Sequence, residues 1–264
     1  MNTVTIATAF FDIKREENGD GRSINEYLEW IKHTLQLNCN LYVVTEDKFR
    51  DFFLNNRPKH LPMHMKIIKF EESHYYRYYG KIKDILQSPE YKAKVMHPNR
   101  VECVLPEYNI IQYSKFHYLE MAIQENPFNS LSFFWMDAGI SRFFLDVDIS
   151  RPFPSKTLQD FLSANQDKII IQKRHDLETY RIDDSFVWNS ANLLSGGMFG
   201  GGKDVVLKIG EKVEQVFVNK MLKCNSVNNE QLALAMVWKE FPHLFITPPN
   251  VFGGHFSLFK LMSQ

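Results

Sequence analysis

The sequence predicts an α/β fold built on a mostly parallel sheet, and three observations carry that expectation. Short apolar runs alternate along the chain with segments of helical period. One run, Phe133-Phe134-Trp135-Met136, is apolar throughout, which suits a strand covered on both faces, as in α/β folds. The 264 residues, without a repeat or low-complexity linker, can bury a large core, and a single domain over residues 1–264 is the simplest division.

The elements follow in order. Val4 to Phe11 reads as the first strand, and polar, glycine-containing Lys14 to Arg22 as a loop. Ser23-Ile24-Asn25-Glu26 is a capping box. It opens a helix with Tyr27, Leu28, Ile31 and Leu35 at helical spacing. Asn40 to Thr45 is a second strand, so the chain begins with a βαβ unit. A short helix near Asp47 to Leu54 and a strand around Met65 to Phe70 come next. Residues 71–105, rich in Tyr and Lys, are expected to form irregular helices on one side of the sheet. Pro106 starts a long helix reaching about Glu125, before the strand that ends at Asp137. Later come a helix over Thr157 to Leu162 and a strand over Ile169 to Gln172. Residues 173–194 lack periodicity, as a substrate-facing loop would. The glycine cluster Gly196–Gly202 reads as a turn, or as a place where backbone amides approach a bulky polar ligand, before a helix to about Leu222. Asn228 is expected to cap one more helix, and His243 to Thr247 to form a last strand.

Composition excludes several partners. Lys+Arg and Asp+Glu both total 31, so no net field recruits nucleic acid or anionic lipid. Three scattered cysteines give neither a metal spacing nor a disulfide framework and fit a reducing compartment. No basic leader or membrane-length apolar stretch is present, and a cytoplasmic protein is expected. The first strand runs into Phe10-Phe11-Asp12 rather than G-x-G-x-x-G, and neither G-x-x-x-x-G-K-[ST] nor G-x-S-x-G occurs. Those absences argue against a P-loop enzyme, an ordinary dehydrogenase and an esterase.

Asp137 closes the apolar strand, and ligands in such sheets bind beyond the carboxyl ends of strands. It is a candidate metal anchor; the other reading is a turn-forming Asp before Ala138-Gly139. Lys115 shares a helical stripe with Ile111, Tyr118 and Ala122, where it either snorkels or meets a phosphate or carboxylate. Glu230 lies in a helix's first turn, which favours an acid there with or without further function. Asp146-Val147-Asp148 is a literal D-x-D, but lacks the small-residue turn.

Thr8-Ala9-Phe10-Phe11-Asp12-Ile13, Trp135-Met136-Asp137-Ala138-Gly139 and Asn229-Glu230-Gln231, with Ser114-Lys115, Asn126-Pro127-Phe128 and the glycine cluster, resemble the HtrL/YibB family. That family is in turn similar to nucleotide-sugar glycosyltransferases of the GT-A type found around bacterial lipopolysaccharide and capsule synthesis. The resemblance implies a GT-A-like domain with a Rossmann-like half, residues 1–140 mainly serving the donor nucleotide and 141–264 the sugar and acceptor. It implies transfer of a hexose, galactose by preference, from a UDP-linked donor to a glycan or lipid-linked glycan, with inversion favoured. A GT-A-like protein that only binds, or a metal-dependent phosphoryl-transfer enzyme using Asp146 and Asp148, is the alternative.

By the same resemblance Asp137 matches the first acid of the GT-A D-x-D motif, with Gly139 where the second would stand. Asp137 and His255 would hold Mn2+ or Mg2+ against the donor diphosphate. Phe11, Asp12 and Arg15 would take base and ribose, Lys115 and Arg142 the phosphates or sugar, and Gly196 and Gly197 would flank the sugar. Glu230 would accept the acceptor hydroxyl proton. Tyr75-Tyr76-Arg77-Tyr78-Tyr79, with Lys81 and Lys83, is a candidate peripheral membrane contact, although packed helical aromatics are the favoured reading.

Overall fold

Strand β1 (Val4–Phe10) is buried at all seven positions because its alternate side chains feed two different cores. Val4, Ile6 and Phe10 point into one, Ala7 and Ala9 into the other. The structure, a computed structural model, describes residues 3–143, 148, 150–249, 251 and 257–263. The remaining strands are β2 (Asn40–Thr45), β3 (Met63–Ile67), β4 (Ser132–Met136), β5 (Ile169–Lys173), β6 (Leu194–Gly202) and β7 (Phe245–Ile246). They form one seven-stranded sheet in the order β3-β2-β1-β4-β6-β5-β7. Pairing is parallel except that β6 runs antiparallel to both β4 and β5. This is the expected single α/β domain with a mostly parallel sheet.

The helices are α1 (Arg15–Asn18), α2 (Ile24–Thr34), α3 (Arg50–Asn56), α4 (Tyr79–Gln87), α5 (Pro89–Lys94), α6 (Pro106–Glu125) and α7 (Lys156–Ala164). Then follow α8 (Lys203–Val216), α9 (Glu230–Glu240) and α10 (Ser257–Ser263). Helices α2, α3, α7 and α10 cover one face through Ile31, Phe53, Leu158 and Leu258. Helices α4, α6, α8 and α9 cover the other through Ile82, Tyr113, Val206 and Leu232. Helix α2 begins at the predicted capping box, with both reciprocal hydrogen bonds formed between Ser23 and Glu26.

Two expectations are corrected, and one open choice is decided for two rings. The glycine cluster is not a turn but the body of β6. A Cβ on Gly200 would lie 2.2 Å from the Phe133 carbonyl oxygen, on Gly201 2.4 Å from that of Lys168, and on Gly202 2.4 Å from that of Gln166. The glycines let β6 lie close between its neighbours, where Gly200 and Gly201 pair with bulky Phe134 and Phe133. Helix α9 is capped by Asn229, whose Oδ1 accepts the amides of Gln231 and Leu232; Asn228 supports that cap by accepting the amide of Asn229. In the tyrosine cluster, Tyr75 is buried against Tyr113 and Phe217, and Tyr78 packs on Phe217 as well. The packed reading holds for these two rings. No helix among the described residues is long and apolar enough to cross a membrane.

Candidate functional site

The carboxyl ends of β1 and β4 open into a cleft whose walls come from the segment after β1, the start of α2, the first turns of α6 and the turn after β4. About 220 Å³ of it is reachable by the centres of water-sized molecules. Asp137 sits at its base, directly beyond β4, and its main-chain amide donates to the Gly197 carbonyl on β6 at 2.9 Å. The crossing of a parallel and an antiparallel neighbour thus fixes the aspartate's backbone.

The side chain is fixed with equal care. Trp135 Nε1 donates to Asp137 Oδ1 at 2.6 Å, and the Lys115 ammonium lies 3.0 Å from the same oxygen. Lys115, on α6 and only 1% exposed, uses its other donors on the Gly196 carbonyl at 3.0 Å and on Glu230 Oε1 at 2.7 Å. One buried cation therefore joins two carboxylates, Asp137 at the cleft and Glu230 beneath it. Asp137 Oδ2 accepts no hydrogen bond among the described residues and lies 3.4 Å from where a Gly197 Cβ would stand. Glycine at 197 keeps the ground beside the free oxygen open.

Glu230 is sealed in. It is 1% exposed, does not line the cleft, and its Oε2 has no partner among the described residues. Burial pushes its carboxyl up to about 7; Lys115 pulls down and the Asp137 charge pushes up. Gly196 serves Glu230 rather than a ligand, since a Cβ there would lie 2.2 Å from Glu230 Oε1. The folded form of Glu230 binds its proton more tightly than the unfolded chain, whose value is near 4.5. Its contribution to stability is then fully present below about pH 4.5 and is lost as pH rises to about 7. Over that window the loss is on the order of 3 kcal/mol. Glu230→Gln should abolish this slope in urea melts across the window; an unchanged slope would place the titration elsewhere.

The other predicted residues occupy distinct places. Phe11 lines the cleft but is only 6% exposed and stacks on Tyr118 at 5.9 Å. Asp12 is paired with Lys14 at 3.1 Å and Lys48 at 3.3 Å. Burial raises its carboxyl, yet hydrogen bonds from Lys14 and the charge of Lys48 bring it below the usual range. Arg15 is locked to Asp20 and to the Tyr27 hydroxyl, with its guanidinium 4.8 Å from the Tyr108 ring centre. Arg142 is the more available cation: it lies over Trp30 and Phe143 and makes no ion pair among the described residues. The sequence reading missed Tyr27 and Tyr108 as cleft aromatics: Tyr27 fits the apolar stripe of α2, and Tyr108 lies in the first turn of the long helix α6.

A second acid at position 139 would be crowded. A Cβ on Gly139 would lie 3.0 Å from Tyr27 Cε1 and 3.1 Å from Trp30 Cε3, so these two α2 rings would have to give way to a D-x-D side chain. Asp148 is a surface acid tied to Ser150 and Arg151. Asp146 and His255 lie outside the described residues. No group of three His, Cys, Asp or Glu side chains suited to a metal occurs among the described residues. The donor set is thus one carboxylate oxygen, half neutralised by Lys115. That fits Mn2+ or Mg2+ carried in by a polyphosphate, where one or two carboxylates suffice, and not a cage made by protein alone.

Fold and site together define a single-domain α/β protein with an aromatic cleft and a clamped aspartate at the carboxyl edge of its sheet. The chain belongs to the HtrL_YibB family, described as "Bacterial protein of unknown function (HtrL_YibB)", which it matches over residues 2–264. Comparison with curated proteins gives no match. Among solved structures, mouse xyloside xylosyltransferase 1 in its apo form is similar at 10% identity and TM-score 0.44, covering 92% of this chain and 84% of that one. Core-mannan synthase A (CmsA/Ktr4) from Aspergillus fumigatus in its Mn/GDP form is similar at 10% identity and TM-score 0.46, covering 94% and 73%. The mannosyltransferase Ktr4p from S. cerevisiae, at 10% identity and TM-score 0.44, is covered over 65% of its length by 89% of this chain.

Proposed function

We propose that this protein is a GT-A-type glycosyltransferase moving a hexose from a nucleotide diphosphate sugar to a glycan of the bacterial surface. UDP-galactose is our choice of donor and a lipopolysaccharide or capsule precursor, lipid-linked or free, our choice of acceptor; both follow the family resemblance. Such acceptors favour a cytoplasmic site at the inner face of the membrane. The observation that carries the reading is Asp137, whose Oδ1 is held by Trp135 and Lys115 while Oδ2 faces the cleft beside Gly197. Residues 1–140 would mainly serve the donor nucleotide, and 141–264 sugar and acceptor.

Asp137 would bind Mn2+ or Mg2+ together with the donor diphosphate. The bound cation supplies neutralisation of the charge that grows on the leaving phosphate. Arg142 adds a second positive charge at the same cleft. The aromatic walls from Tyr27 and Tyr108 exclude water and give the base a surface to lie on. Because Glu230 is closed off, we give it the task of holding Lys115, and no proton transfer is routed through it; inversion thereby loses the base that had favoured it.

Since Lys115 half-neutralises Asp137, metal alone should bind poorly and metal with nucleotide well. The test is thermal shift with Mn2+, UDP-galactose, GDP-mannose and each pair. A rise in melting temperature only for a pair, joined by metal-dependent release of UDP or GDP, is expected. No shift with any pair would overturn the reading, and a shift without release would leave a binding protein.

A further inference from the structure

A second cavity opens on the other side of the segment after β1. Asp12, Ile13 and Lys14 line both hollows, with Lys14 held in a left-handed turn at φ 54° between them. The second hollow offers about 250 Å³ to the centres of water-sized molecules. Its chemistry differs from that of the cleft. Tyr76 and Tyr79 stack at 5.3 Å with 18° between their planes, and Phe70 meets Tyr76 edge-on at 5.6 Å. Glu107 accepts from the Tyr79 hydroxyl at 2.9 Å through Oε1. Neither Glu107 nor Glu71, which also lines the hollow, makes an ion pair among the described residues. Asp12 is already matched by Lys14 and Lys48.

Half-exposed aromatics beside unpaired carboxylates repel phosphates and anionic lipid headgroups. They suit a ligand with an apolar face and outward hydroxyl or ammonium donors. A pyranose ring has both: its C–H face packs on an aromatic ring, and its hydroxyls donate to carboxylates. An amino group would gain charge attraction and a cation–π contact as well.

We propose that this second cavity is a saccharide subsite for a neutral or amino-substituted sugar ring. Its separation from the Asp137 cleft by one three-residue wall suits a subsite for the acceptor glycan, which would extend acceptor binding beyond residues 141–264 onto the first half of the chain. That the sugar is an acceptor rests on the transferase reading above; that a sugar binds here does not.

Saturation-transfer NMR with methyl glucoside and methyl glucosaminide, each without nucleotide, tests the site. Wild type should transfer saturation to ring C–H protons. Tyr76→Ala should weaken the signal by roughly fivefold, the equivalent of one aromatic contact. Glu107→Gln should remove the preference for the amino sugar. Asp137→Asn should keep the sugar signal, and UDP with Mn2+ should not displace it. No transfer in wild type, equal signals in Tyr76→Ala and Glu107→Gln at wild-type melting temperature, or displacement by UDP would each overturn the proposal, the last by making the hollow a nucleoside subsite. Saturation transfer to the methyl glycoside in a protein that binds no nucleotide donor would instead sink the transferase reading and leave the subsite standing.

Discussion

Lys115→Met should lower the melting temperature by roughly 10 °C at alkaline pH, corresponding to about 3–5 kcal/mol for a broken buried ion pair. The methionine matches the lysine stem in volume, so the loss is electrostatic rather than a cavity. It leaves the Gly196 carbonyl and Glu230 Oε1 without their shared donor inside the protein. Asp137 suffers less, because its side chain is 38% exposed and water can replace the ammonium. The variant's cost should shrink in acid. Without Lys115 the folded-state value of Glu230 rises beyond its present value of about 7, while the unfolded value stays near 4.5. A group whose folded value is raised stabilises below the unfolded value and loses that contribution as pH climbs through the folded one. The variant therefore approaches wild type near about pH 5 and falls furthest behind above about pH 8. Calorimetric melts at those two conditions decide; a deficit independent of pH would mean that Glu230 is not the partner that matters.

The history of this network shows what one-dimensional patterns carry. Helix α6 and the strand β4 were legible because Pro106 and an uninterrupted apolar run act over a few neighbouring residues. Asp137, Lys115 and Glu230 each stood out singly: the first at the end of an apolar strand, the second on an apolar helical stripe, the third in a helix's first turn. Their union was not legible, since it depends on β6 lying antiparallel beside β4 and bringing Gly196 and Gly197 over them. The sequence hid β6 for a physical reason: glycine has low strand propensity, so five glycines within seven residues read as a turn. What demands residues without side chains there is the close approach of the Phe133, Lys168 and Gln166 carbonyls and of the Phe134 ring, which only the folded sheet brings together. Likewise Tyr27 satisfied the period of α2 and passed as core. That its ring, with Trp30, crowds the position of a further acid at Gly139 follows only from how α2 packs on the turn after β4.

Asp137→Asn separates the two jobs of that aspartate, and its expected effect on ligand binding is the largest of any substitution in the cleft. Asparagine keeps an oxygen for Trp135 Nε1 and Lys115, so the melting temperature without ligand should stay within a few degrees of wild type. Asp137→Ala, by contrast, strands the indole donor of a buried tryptophan at a cost of about 1–3 kcal/mol. With the charge gone, the affinity for nucleotide diphosphate plus Mn2+ should fall by about a hundredfold, close to 3 kcal/mol. One internal signature accompanies that loss. The Asp137 charge is among the causes that raise Glu230, so in the asparagine variant the acid-side stability window should end below about pH 7. Titration calorimetry gives the affinity and pH-dependent melts give the window, on the same preparation. A variant with the shifted window and undiminished metal-dependent binding would show that the charge reaches Glu230 but not the ligand. Arg142 and the cleft aromatics would then have to hold the diphosphate unaided, and the cation would have no anchor in this chain's described residues.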